Sequence, residues 1–350
     1  MCVSVKQVLC IFIPHYTINT RNYAMFENLL EPLPLFFLLG LLAGFLKSDL
    51  RLPKEIYDII STYLLLAIGI KGGVQLSKAG VESVLLPSAA TLCIGLVTPL
   101  LAFMIVRKIG RLGRADSAAL AAHYGSVSAV TFAVVQSFLD ARGIAYEGYM
   151  AVLLILLEIP AIVVGIVLAR YKFSTPQQTG QPHEHLFSKD MMHEVFLNRG
   201  VYLLLGGLCV GMIAGTKIAP LKLIFTDAFP GILAFFLLEM GIVASERLHE
   251  FRNAGVFLVM FALVMPLLSA SIAAVLGTVA GLSLGGTAVL ITMAASASYI
   301  AATAAMRIAV PEANPTYYVT TALGITFPFN IAAGLWIYLW MAQQAHQYLR

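Results

Sequence analysis

Ten apolar windows, near 33–46, 55–75, 84–106, 116–139, 147–169, 200–215, 229–245, 254–280, 286–306 and 316–341, follow one another along this chain with mostly short connections. About 20 mostly apolar residues cross the hydrocarbon core of a bilayer as one helix. Lipid offers backbone amides and carbonyls no partner, so such windows fold as helices whose hydrogen bonds close within the segment. The composition agrees: 59% of residues are hydrophobic, 11% are charged, and mean hydropathy is +0.87, against roughly 25% charged in soluble domains. The expected fold is an all-α polytopic membrane protein of about ten transmembrane helices. The net charge of +4 reads as loop asymmetry and points to no nucleic-acid partner. Cys2, Cys10, Cys93 and Cys209 show no pairing or metal-ligand spacing and read as packing residues. Residues 1–24 carry an apolar patch broken by Pro14 and His15, too short for a span and without a clear cleavage site, and read as a loose extension before Met25.

Lysine and arginine set the orientation. If connections alternate between the two faces, one face receives 14 of the 22, among them Arg107, Lys108, Arg111 and Arg114 in a single loop. By the positive-inside rule that face is cytoplasmic, and both termini of this plasma-membrane protein lie outside. The longest hydrophilic stretch, 171–199, divides the windows into five within 25–170 and five within 200–350. An odd number of spans per half makes the halves enter the membrane from opposite sides, the arithmetic of an inverted repeat. An offset of 168 pairs Ser128 with Ser296, Ala133 with Ala301, Tyr149 with Tyr317 and Pro160 with Pro328.

Within one residue of that register "GSVSAVT" at 125–131 lies opposite "AASASYI" at 294–300, each in the fourth window of its half. Small polar residues at matching points of inverted halves point to a pair of interrupted helices with a binding site between them. The same residues also serve close helix packing. A helix broken in lipid frees backbone groups that must be satisfied, and its half-helix N-termini can hold an anion. Candidate substrate contacts are Gly125, Ser126, Val127, Ser128, Ser296, Ala297, Ser298, Tyr299 and Thr303. Four ionisable groups lie in or beside windows. Of these, Lys71 is expected to reach toward the aqueous boundary, His123 to be a hydrogen-bonded structural residue, and Glu239 to pack at a subunit or domain contact. Glu158 stands two residues before Pro160, and Thr326 two before Pro328. With Thr131 and freed carbonyls they make a hard-oxygen set suited to sodium, although Glu158 also reads as a carboxylic acid bonded across helices.

"LPKEIYDIISTYLLLAIGIKGG" at 52–73, "YGSVSAVTFA" at 124–133, "AYEGYMAVLLILLEIPAIV" at 145–163, "SLGGTAVL" at 283–290 and "VPEANPTYYVTTALGITFPFNI" at 310–331 occur in one order along the chain. In this the chain resembles the sodium-dependent bicarbonate transporter family first known from cyanobacterial carbon-concentrating systems. The resemblance implies two inverted five-span halves with broken fourth and ninth helices, a core domain, a gate domain and a homotrimer. It further implies bicarbonate uptake driven by sodium and a cytoplasmic face able to receive a PII-like regulator. One departure falls at the centre of the expected site. "SASYIAATA" at 296–304 puts Tyr299 where the family pattern has an aspartate and Thr303 and Ala304 where it has paired prolines. Glu158 stands where the family has aspartate. The alternatives are a transporter of another small anion, a transport-inactive receptor or scaffold on the same fold, and a passive channel. The windows hold no nucleophile or metal-ligand constellation that would mark an enzyme.

Overall fold

The computed structural model describes residues 31–79, 81–170, 197, 199–250 and 255–349; the expected extension at 1–24 and all but two residues of the linker at 171–199 lie outside the described residues. Every regular element described is helical. In the first half these are α1 (Pro32–Phe45), α2 (Lys54–Leu76), α3 (Val81–Met104, carried on by a π-helical turn), the interrupted pair α4 (Arg114–Gly125) and α5 (Ala129–Asp140), and α6 (Met150–Arg170). In the second they are α7 (Arg199–Ala214, tightening into a 3₁₀ stretch to Leu221), α8 (Phe229–Glu250), α9 (Gly255–Val279), the interrupted pair α10 (Leu284–Ala294) and α11 (Ala301–Ala309), and α12 (Pro315–Leu349). With α4 and α5 taken as one, eight described helices are long and apolar enough to cross a membrane. α1 and α10 are apolar but shorter. Pro328 interrupts α12 between π-helical stretches at Thr320–Thr326 and Asn330–Gly334, as expected where proline removes a helical hydrogen bond.

Two helix pairs make the tightest contacts, α1 along α8 and α2 along α7. Each is built on small residues four apart: Gly40 and Gly44 against Gly241 and Ser245, Gly69 and Gly73 against Gly207 and Gly211. A methyl group at Gly211 would lie 2.1 Å from the Ile70 carbonyl oxygen, and one at Gly241 would lie 2.2 Å from that of Phe37. Between membrane helices the hydrophobic effect contributes little, so close backbone approach through small residues supplies the packing. These four helices form one layer. In the other, α3 packs on α4 and α6, while α9 packs on α10 and α12.

The loop before each last helix ties down an interrupted helix of the opposite half. Asp116 in the first turn of α4 accepts from the Asn314 amide at 2.8 Å. Glu147 accepts from the Ser283 amide at 2.6 Å and its hydroxyl at 3.1 Å, and Ser283 in turn caps α10 through the Gly286 amide at 3.0 Å. Exposed apolar side chains such as Leu85, Ile213, Val256 and Val279 lie on the outer faces, as lipid contact requires. Cys93 and Cys209, expected as packing residues, also face outward. A thiol is apolar enough to stand in lipid without a core position.

Candidate functional site

A serine hydroxyl accepts from an amide in the first turn of each resuming half-helix. In the first, the chain is extended at Ser126 and Ser128 (ψ −176° and 112°), and the Ser128 hydroxyl accepts from the Thr131 amide at 3.2 Å. That replaces an acceptor missing at a helix start. Gly125 has no room for a side chain, since a methyl group would meet the Pro99 ring of α3 at 2.7 Å. In the second, residues 295–300 separate the half-helices, and the Ser298 hydroxyl accepts from the Ala302 amide at 3.2 Å.

The breaks are bonded to one another. The Ser128 amide donates to the Ser296 hydroxyl at 2.9 Å, and that hydroxyl donates to the Met293 carbonyl at 2.7 Å. The Ser298 amide donates to the His123 carbonyl at 2.9 Å. His123 Nδ1 lies 2.6 Å from the Ala119 carbonyl, which only accepts, so Nδ1 carries the proton and Nε2 accepts from the Thr303 hydroxyl at 3.0 Å. Tyr318 stacks on the ring. His123 is thus a hydrogen-bonded structural residue, as expected, and Thr303, expected at the substrate, is its partner. From α12, Asn330 donates to the Ala295 carbonyl at 3.1 Å and accepts from the Tyr338 hydroxyl at 2.7 Å. Asn330 escaped the sequence reading. Its signal was an amide buried in an otherwise apolar window.

Where the breaks cross lies a cavity of ≈ 20 Å³, bounded by Ser128, Ala129, Ser298, Tyr299 and Ala301, by Glu158 of α6, and by Leu65 and Gly200 of the facing layer. A space of that size takes one particle about as large as a water molecule. Ala129 and Ala301 begin α5 and α11, so the amide ends of two half-helices converge there. Glu158 is buried, and its Oε2 has no hydrogen-bond partner among the described residues. The buried Tyr299 hydroxyl faces Ser128 without closing a hydrogen bond to it. Of the expected residues, Val127, Ser128, Ser298, Tyr299 and Glu158 line this cavity. Ser296 joins the breaks behind it, and Ala297 is buried in packing. The Ser126 and Thr131 hydroxyls are buried without partners among the described residues but do not line the cavity.

Thr326 does not join Glu158. Its hydroxyl donates to the Ala262 carbonyl at 2.8 Å and pairs with Tyr124 at 2.8 Å, fastening α12 to α9 and α4. An offset that equates two positions sets them at matching points of two halves, which is not contact. Glu239, expected at a subunit or domain contact, accepts from the Leu52 amide at 3.0 Å and holds the α1–α2 connection.

A larger cavity of ≈ 660 Å³ opens among the C-terminal ends of α2 and α5 and the segment before α8. Ile68, Lys71 and Gln75 form its α2 wall, with Lys78 just past the end of that helix, and Ala133, Gln136, Ser137 and Asp140 form its α5 wall, each helix contributing at helical spacing. Burial, and secondarily Asp140, hold the Tyr146 hydroxyl above the ordinary tyrosine range, so it stays neutral in this wall. Inward, a cavity of ≈ 10 Å³ shares Ile68 and Ala133 with this vestibule and shares Leu65, Ala129 and Ile300 with the cavity at the crossing. The three cavities are therefore neighbours, the small one lying between the vestibule and the cavity at Glu158. Lys71, expected at the aqueous boundary, projects into the vestibule with its ammonium 4.0 Å from the Phe229 ring centroid.

Interrupted apolar helices crossing at a buried carboxylate, with neighbouring cavities toward one face, define a polytopic membrane protein built around an internal polar site. More particularly, the chain belongs to the Na+-dependent bicarbonate transporter superfamily, whose family model matches residues 32–343. Among curated proteins none matches the chain. Membership supports a transport function, and it implies sodium as the coupling ion and a small anion as cargo.

Proposed function

We propose that the protein takes up a small anion, bicarbonate first among them, with sodium, by alternating access about the crossing of its two interrupted helices. The observation that carries this reading is the row of neighbouring cavities ending at Ser128, Glu158, Ser298 and Tyr299. Sodium prefers hard oxygen donors, and this set supplies a carboxylate and three hydroxyls, two groups of which have unpaired buried atoms. The anion is held by the amides that begin α5 and α11 and by the hydroxyls of Ser128 and Ser298, its charge balanced by the helix ends and the cation.

Leu65 and Gly200 come from the α1, α2, α7 and α8 layer, and the other lining residues from the opposite layer, so the cavity lies at a seam. A space of ≈ 20 Å³ suits the ion alone; sliding of the layers widens it for the anion. We read the two halves as inverted repeats of five crossings each. The reciprocal pairing of α1 with α8 and α2 with α7 supports this, as do the matching glycine spacings and the reciprocal ties Asp116–Asn314 and Glu147–Ser283. With the lysine- and arginine-rich face cytoplasmic, both termini and the vestibule lie outside. A homotrimer and a PII-like regulator remain part of what the resemblance implies.

The test is uptake of labelled bicarbonate into proteoliposomes with and without an inward sodium gradient, comparing native protein with Ser128→Ala and Glu158→Gln. The reading expects sodium-stimulated uptake that each substitution reduces about tenfold or more in protein of native size and fold. Uptake indifferent to sodium, or to both substitutions, overturns it. Anion binding without flux in native protein makes the chain a receptor on a transporter fold.

A further inference from the structure

We propose that the vestibule contains a first binding station for the transported oxyanion, with Lys71 as the residue that captures it before it reaches the crossing. This deepens the uptake reading and rests on it. Lys71 lies inside an apolar helix, where an ammonium group is costly and by default functional. It is half-buried, projects into the 660 Å³ vestibule, and has no ion pair to a described carboxylate; its close neighbour is the Phe229 ring. That aromatic face steadies a cation without neutralising it.

The charges around it are lopsided. Lys78, exposed two residues beyond the end of α2, also lines the vestibule, and Lys222 is already paired with Asp227 at 3.5 Å. Asp140 is then the one unpaired carboxylate in the described lining, against two unpaired ammonium groups. A cleft with excess positive charge between low-dielectric walls concentrates anions. Gln75, Gln136 and Thr216 add neutral donors suited to oxyanion oxygens.

The crossing has no lysine or arginine in its lining, so it cannot draw an anion from a distance. Lys71 is six residues from Leu65 on the same helix, about 9 Å along its axis, and Leu65 lines the crossing cavity. A lone ammonium binds an anion strongly enough to admit it and weakly enough to release it onward.

Two measurements test this. In proteoliposomes, Lys71→Met is expected to raise the KM for bicarbonate about tenfold while Vmax stays within about twofold of native, and Lys71→Arg to restore most of the loss. An unchanged KM in Lys71→Met, or a loss confined to Vmax, overturns the proposal. The second readout needs no transport. In full-length protein with its four cysteines changed to alanine, a Thr216→Cys thiol is labelled with anionic and cationic methanethiosulfonates. The anionic reagent is expected to react several-fold faster, bicarbonate to slow it, and Lys71→Met to remove both effects. Equal rates for the two reagents overturn the station even if uptake is intact. If native protein shows no uptake but keeps the Lys71-dependent labelling, the uptake reading falls and the anion site stands.

Discussion

A buried polar residue in a membrane helix either holds the fold together or waits for a ligand, and its partners decide which. Asn330 is of the first kind. It joins the Ala295 carbonyl at the break to the Tyr338 hydroxyl, so Asn330→Ala leaves two buried groups without partners and is expected to cost about 1–3 kcal/mol. Thermal unfolding in detergent should show the lower melting temperature, with sodium affinity unchanged in the protein that remains folded. Glu158 and Tyr299 are proposed to be of the second kind, having buried atoms that no described residue satisfies. Ser128, Ser298 and Glu158 were legible in the sequence because a serine cluster or a carboxylate stands out within an apolar window. The partnership of Thr326 with Tyr124, and that of Thr303 with His123, were not. A hydroxyl looks the same in sequence whether it bonds a neighbouring helix or faces a cavity.

Elements were legible to within a few residues, because hydropathy reports directly on length in lipid: the window 254–280 is α9 at Gly255–Val279, and 55–75 is α2 at Lys54–Leu76. What hydropathy omits is which helix meets which. The Gly69–Gly73 and Gly207–Gly211 spacings that bring α2 onto α7 were present in the sequence, yet small residues carry almost no hydropathy signal and their meaning depends on a partner. Gly211→Val is expected to separate α2 from α7 and abolish monodisperse protein on size exclusion. The neighbouring Gly206→Ala should leave the profile unchanged, because no atom outside its own helix lies within 4 Å of the added methyl group. Equal tolerance of both would remove the glycine contacts from the account. The 3₁₀ stretch at Gly215–Leu221 was likewise beyond the sequence reading, and it forms part of the vestibule wall.

At the scale of the whole molecule, the proposed uptake rests on two layers with a polar crossing at their seam. The crossing cavity has one carboxylate, Glu158, with Tyr299 where the resembled family carries a second acid. One carboxylate suits one sodium, and one sodium with one monovalent anion moves no net charge. Uptake is therefore expected to be indifferent to an imposed membrane potential; a second sodium would add about 2.3 kcal/mol of drive per 100 mV and would appear as inward current. The most direct test of the central claim, that sodium binds at this crossing, is the melting temperature of the purified protein in sodium against potassium, for native chain and Glu158→Gln. A ligand that binds only the folded state at a hundredfold excess over its Kd adds about 2.7 kcal/mol. The account predicts that sodium raises the native melting temperature by several degrees, that potassium does not, and that Glu158→Gln removes the difference. A sodium response of equal size in the variant, or none in the native protein, would contradict it.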